Sequence, residues 1–100
     1  MTYYEIPLSA QSQILKTSIN GVTYGLRVLW RGTNYFIDLL DSRGNALITA
    51  MPMVTGVDLL EPYSYMKLGF EMYVTSDLIN GHQQPTYEDL GITSHLYVRY

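Results

Sequence analysis

Apolar and polar residues alternate with a period of two along most of the chain. Val22, Tyr24, Leu26, Val28 and Trp30 face one way, and Thr23, Gly25, Arg27 and Leu29 face the other. A strand with one strongly buried face produces this pattern, and a helix does not. Asn20-Gly21 precedes the run and is the dipeptide best suited to the positive φ angles of a type I′ hairpin turn. A two-residue loop there sets Ile19 opposite Val22, Thr17 opposite Tyr24 and Leu15 opposite Leu26, so register and hydrophobic face agree.

Beyond Trp30, the stretch Arg31-Gly32-Thr33-Asn34 is turn chemistry, and Tyr35 to Leu40 resumes as a strand. Trp30 then pairs with Tyr35, Val28 with Ile37 and Leu26 with Leu39. Asp41-Ser42-Arg43-Gly44 reads as a type I turn closed by a left-handed glycine and leads into a fourth strand, Ala46 to Ala50. The expected meander, Ile14 to Ala50, carries Leu15, Ile19, Val22, Leu26, Val28, Ile37 and Leu39 on its inner face. Met66, Leu68, Phe70, Met72 and Val74 alternate with Lys67, Gly69, Glu71 and Tyr73 as a later strand, and His95 to Tyr100 form a last one. Met51-Pro52-Met53 and Glu61-Pro62 should interrupt pairing, because proline cannot donate to a ladder. Asp77 to Leu90 has room for a short helical turn but no full helix. The chain, residues 1–100, is expected to be a single all-β domain, a small antiparallel barrel or sandwich built on an N-terminal meander with no long helix.

The 15% of charged residues lies well below the usual quarter, so much of the surface must be uncharged. Nine acids against six bases give a net charge of −3 with no basic run, which removes the electrostatic footprint of a nucleic-acid binder. No cysteine is present, so disulfides, thiolate metal sites and thiol catalysis are excluded. The N-terminus has no basic signal region, and no apolar stretch approaches the roughly 18 residues that cross a bilayer as a helix. The expectation is a chain that is neither exported by a visible signal nor embedded in a membrane.

A search for chemistry returns little. His82 and His95 have no second histidine at ligand spacing, so metal ligation is not expected, and no cofactor motif or phosphate loop is present. Ser9 and Ser12 lack a nucleophile-elbow context. Of the acidic pairs, Asp58 with Glu61 and Glu88 with Asp89, the aspartates read as caps of nearby backbone. The remaining signal is aromatic: ten tyrosines and one tryptophan. Tyr24, Trp30 and Tyr35 fall on the inner face and read as core. Tyr3, Tyr63, Tyr65, Tyr73 and Tyr87 fall on the other face or in loops, and Tyr97 and Tyr100 lie in the last strand. These seven are the candidate protein-interface residues, because Tyr is enriched where one protein contacts another. The segments near Tyr3 to Leu8 and His95 to Tyr100 are expected to be open sheet edges.

Several elements also occur in a recognisable order: Ile6-Pro7-Leu8, Asn20-Gly21-Val22-x-Tyr24-x-Leu26, Trp30, Leu39-x-Asp41-x-x-Gly44, Gly56-Val57-Asp58-Leu59-Leu60, Tyr63, Leu68-Gly69 and Asp89-Leu90-Gly91. Over nearly the whole chain they resemble the plug protein family of contractile-phage tail baseplates, of the type seen in a cyanophage. One departure stands out, since a glycine-containing turn is expected after Ile48 and this chain has Thr49-Ala50-Met51-Pro52. The resemblance implies a structural virion protein near the tail hub and tube, made in the bacterial host cytoplasm. It implies several copies, a homo-oligomer partnered by other baseplate and hub proteins, with no catalytic residues, cofactor, nucleic acid or membrane. Two rival readings remain. A carbohydrate-binding or other interaction module would need exposed, coplanar aromatics, and a small enzyme domain would need His82 or His95 converging with an acid in a pocket.

Overall fold

The computed structural model describes residues 1–77 and 84–100. Seven strands and one short 3-10 helix follow in the order β1 (Tyr3–Ile6), β2 (Gln13–Ile19), β3 (Val22–Trp30), β4 (Tyr35–Leu40), β5 (Ala46–Pro52), the 3-10 helix (Glu61–Met66), β6 (Glu71–Ser76) and β7 (Ser94–Arg99). They form two antiparallel sheets, β2-β3-β4-β5 and β1-β7-β6. The sheets face each other as a sandwich and do not close into a barrel.

The meander follows the expected register. Asn20 and Gly21 adopt φ of 51° and 80°, the two positive angles that a type I′ turn demands. Ile19 pairs with Val22, Thr17 with Tyr24 and Leu15 with Leu26. Across the next turn, Leu26 pairs with Leu39, Val28 with Ile37 and Trp30 with Tyr35. Leu26, Val28, Ile37 and Leu39 have no solvent exposure, and each contributes roughly 1.5–3 kcal/mol by leaving water. One buried cluster joins them to Ile6, Met72, Val74, Leu96 and Val98 of the second sheet. Burial of both inner faces against each other holds the two layers together.

Several expectations need correction. Val22 lies at the hairpin tip beyond the reach of the second sheet and is 51% exposed, although its neighbours on the same face are buried. Leu15 and Trp30 are half-buried at the periphery of the core and not within it. The apolar alternation from Met66 to Val74 is strand only from Glu71 onward. Pro62 opens the 3-10 turn, and Lys67 and Gly69 adopt φ of 52° and 87°, which breaks the extended backbone before Phe70.

The fourth strand also continues through Met51, which pairs with Ile37, to Pro52, which pairs with Phe36. Proline is tolerated because β5 lies at the margin of its sheet. No turn follows Ile48. The chain instead forms a bulge, in which Thr49 and Ala50 together oppose Asp38, and Ala50 takes φ of 57°. The left-handed backbone that a glycine would supply is therefore present, without the glycine and without the turn.

Finally, β7 is the centre of its sheet, between β1 and β6. His95 to Tyr100 is accordingly not an open edge. Of the segment Asp77 to Leu90, residues 78–83 fall outside the described residues, and with them His82 and Asn80-Gly81.

Candidate interaction surface

The register of β1-β7-β6 decides which side chains share its solvent face. Tyr3, Arg99 and Glu71 form one row across the three strands, and Glu5, Tyr97 and Tyr73 form the next. Alternation turns their neighbours Ile6, Leu96, Val98, Met72 and Val74 into the core. Three of the seven candidate tyrosines, Tyr3, Tyr73 and Tyr97, therefore stand together on one face.

A polar network stiffens this face. Arg99 Nη1 donates to Glu71 Oε1 at 3.2 Å, and the Tyr73 hydroxyl donates to the same oxygen at 3.2 Å. The Arg99 guanidinium also lies 5.4 Å from the centre of the Tyr3 ring, whose own centre is 6.0 Å from that of Tyr73. The cation thus lies against the Tyr3 ring and is paired with the Glu71 carboxylate. Partial desolvation, followed by the hydrogen bond to Glu71, raises the Tyr73 hydroxyl above its ordinary pKa. Arg99 Nε is buried without a partner.

One row further on, His95 bridges two elements. Its Nδ1 lies 2.8 Å from Glu5 Oε2 on β1, and its Nε2 lies 2.9 Å from Asp77 Oδ2 just beyond β6. Carboxylates only accept, so both contacts are hydrogen bonds only when the ring is doubly protonated. The bond to Asp77 raises the imidazole pKa most, burial opposes it, and the bond to Glu5 adds to the rise. The sequence places no second histidine at ligand spacing from His95 and leaves open its convergence with an acid. Its partners come from residues 90 and 18 positions away, and local spacing carries no trace of them. With a carboxylate beside each nitrogen, both ring positions are engaged in contacts that tie β1 and the end of β6 to β7. Among the described residues, no group of three or more His, Asp or Glu is arranged to hold a metal ion.

The other four candidate tyrosines are dispersed. Tyr63 and Tyr65 sit on the 3-10 turn, Tyr63 packed against the core and Tyr65 largely exposed. Tyr100 is half-buried and stacks on Tyr4, with ring centres 4.7 Å apart and planes 21° apart. Tyr4 was missed from the candidates because its inward pairing with Val98 requires the fold. Tyr87 packs near Trp30 and Tyr35 on the loop that follows the undescribed residues. The buried Tyr35 hydroxyl donates to the Tyr87 carbonyl at 2.8 Å. Burial, then the neighbouring Tyr87, pushes its pKa up to about 12. Trp30 and Tyr87 meet at 60°, so these rings do not make the flat, coplanar platform that a sugar would stack on.

The two aspartates read as caps behave as expected. Asp58 Oδ1 accepts the N–H groups of Leu60 and Met72, both at 3.0 Å. Asp89 Oδ1 accepts that of Thr86 at 2.8 Å, and its Oδ2 accepts the Ser94 hydroxyl at 2.9 Å. Both carboxylates are committed to holding the connections around β6 and β7.

The fold and this face define a small two-layer antiparallel sandwich with a polar, tyrosine-bearing outer sheet. The family model described as cyanophage baseplate Pam3 plug gp18 matches residues 3–100. The chain belongs to that family, in keeping with the resemblance read from its sequence. No curated protein matches the chain.

Proposed function

We propose that this chain is a structural component of a phage tail baseplate, a single β-domain that plugs into the assembly by contacting hub and tube proteins. The observation that carries this reading is the match to the baseplate plug family over residues 3–100. The low overall charge of the chain and the clustered Tyr3, Tyr73 and Tyr97 support it, because tyrosine is enriched where proteins contact one another. The protein acts in the virion tail after synthesis in the host cytoplasm, in more than one copy. It binds neither nucleic acid nor membrane and performs no catalysis. Among the seven tyrosines, Tyr3, Tyr73 and Tyr97 form the main contact patch, with Tyr63, Tyr65, Tyr87 and Tyr100 as separate secondary contacts.

The test is co-expression with the products of the neighbouring tail genes, followed by affinity capture and cross-linking. Capture of a hub or tube protein, lost when Tyr73 and Tyr97 are both replaced by serine, is the expected result. Failure to bind any tail protein, together with binding of a glycan or turnover of a small substrate, would overturn the reading.

A further inference from the structure

Sheet margins differ in how well they resist another strand. The β5 margin carries two register shifts and Pro52, devices that spoil a flat pairing surface. At β6, Thr55 and Asp58 bridge to Val74 and Tyr73. Gly56 and Leu59 donate their N–H groups to the Val74 and Met72 carbonyls at 3.2 and 2.8 Å. That margin is already taken. On β2, the tight turn makes Ile19 and Val22 the first bonded pair, so alternation turns the backbone groups of Ile14, Lys16 and Ser18 outward. A second copy of β2 paired across a two-fold axis at its middle residue would set Lys16 against itself.

The β1 margin has none of these protections. Thr2 and Tyr100 exchange both backbone bonds, at 2.8 and 3.1 Å. Alternation then directs Tyr4 and Ile6 toward β7, and the N–H and C=O groups of Tyr3 and Glu5 outward. Both residues are exposed, and Tyr4 between them is 45% exposed.

We infer that β1 pairs with β1 of a second copy of this chain in an antiparallel, two-fold arrangement centred on Tyr4. The inference rests on the assembly role proposed above. Charge and chemistry select the register. Centring on Glu5 would oppose two carboxylates and bring Pro7, which has no N–H, opposite Tyr3. Centring on Tyr4 sets Tyr3 of each copy opposite Glu5 of the other and forms four main-chain hydrogen bonds. It also brings the two Tyr4 side chains together as a non-bonded pair, where antiparallel side chains approach most closely. Because Tyr4 already stacks on Tyr100, the pairing completes a row of four rings. The product is a continuous six-stranded sheet whose solvent face repeats Tyr3, Tyr73 and Tyr97, an isologous contact of the commonest kind for homodimers.

Two variants of the full chain test this. The chain has no cysteine, so Tyr4→Cys places a single thiol at the two-fold axis. Under mild oxidation it should form a disulfide-linked dimer at least tenfold faster than Ile14→Cys, a control on the β2 margin that is 66% exposed. Tyr3→Pro removes an outward N–H while leaving the β1–β7 bonds in place. It should weaken dimerisation at least tenfold by light scattering, with an unchanged circular dichroism spectrum. If Tyr4→Cys cross-links no faster than Ile14→Cys, the inference is overturned whatever Tyr3→Pro does. A monomer whose capture of a tail protein is lost in Tyr3→Pro would also overturn the second-copy pairing, yet leave the baseplate reading standing. Rapid Tyr4→Cys cross-linking without capture of any tail protein would do the reverse.

Discussion

Asp38 and Ala50 are joined by a 2.7 Å hydrogen bond, from the Ala50 backbone N–H to Asp38 Oδ1, across the bulge that bends β5. The bond fixes Ala50 in the left-handed region, at φ of 57°, where a Cβ is unfavourable and glycine is at ease. Ala50→Gly should therefore stabilise the fold by about 0.5–1 kcal/mol, since relief of the native strain outweighs the extra freedom of glycine in the unfolded chain. Calorimetry would register this as a rise in Tm of a few degrees for a chain of this size. A fall in Tm would mean that the bulge relaxes without strain.

Asp38 itself is almost completely buried on the solvent side of the four-stranded sheet. Its Oδ2 also accepts from Arg27 Nε at 2.8 Å and lies 2.7 Å from Arg27 Nη2. Burial pushes the carboxyl pKa up. The Ala50 N–H and the Arg27 hydrogen bonds and charge together outweigh it, and the net direction is down. Asp38→Ala leaves a donor and a guanidinium without their acceptor. Because Arg27 remains 40% exposed, the cost should be about 2–3 kcal/mol, below the range for a fully buried pair. A carboxyl depressed in the folded state stabilises above its unfolded pKa, and that stability is lost as pH falls through the folded value. Asp38→Asn should consequently flatten the acid limb of the stability curve measured by urea unfolding.

Leu26 and Val22 point to the same side of β3 but differ in environment. Leu26 has no exposure and Val22 has 51%. Leu26→Ala should cost about 2–5 kcal/mol as a cavity between the sheets, whereas Val22→Ser should stay within about 0.5 kcal/mol. Chemical denaturation of both variants checks this directly. Equal losses would put the hairpin tip inside the core.

How far the sequence could be read follows from how local each feature is. The Asn20-Gly21 hairpin was legible because a two-residue turn dictates register, and the apolar face had to agree with it. The stretch from Met66 to Phe70 misled because period-two spacing records only which residues are apolar. Left-handed residues at Lys67 and Gly69 can produce that spacing without a strand. Pairing of Tyr3 with Arg99 joins the two ends of the chain, and no local pattern encodes it. For that reason Tyr3, Tyr73 and Tyr97 could be named as surface tyrosines but not grouped, and the partners of His95 could not be seen.

Gly91 is held by a different constraint. It has φ of 80°, and a Cβ built there would fall 2.1 Å from the Leu8 carbonyl oxygen. That oxygen belongs to the connection between β1 and β2, so backbone cannot yield as a flexible side chain would. Gly91→Ala should cost upward of about 2 kcal/mol, combining a left-handed non-glycine residue with a backbone clash. Gly44→Ala shares the positive φ, but nothing lies within 4 Å of its Cβ position. It should lose only about 1 kcal/mol. Comparing the urea midpoints of the two variants separates conformational strain from contact, and equal losses would rule out the clash.

The bridge from Glu5 through His95 to Asp77 makes β1 attachment depend on pH. The other titratable groups on this face are Tyr97 beside it on β7 and its cross-strand partner Tyr73 on β6, with Arg99 and Glu71 one row beyond those two. The imidazole pKa is raised in the folded state, chiefly by Asp77. A raised pKa means that the contribution is fully present below the unfolded value of roughly 6.5 and is lost as pH rises through the folded value. Glu5 and Asp77 are 42% and 59% exposed, so solvent screens both contacts and each is worth at most about 1 kcal/mol. The wild-type chain should thus lose stability as pH rises above roughly 6.5 relative to His95→Gln, which carries no titrating ring. Hydrogen exchange at the β1 amides should quicken over the same rise in the wild type alone. Parallel pH profiles for the two proteins would show that the imidazole does not hold β1 in place.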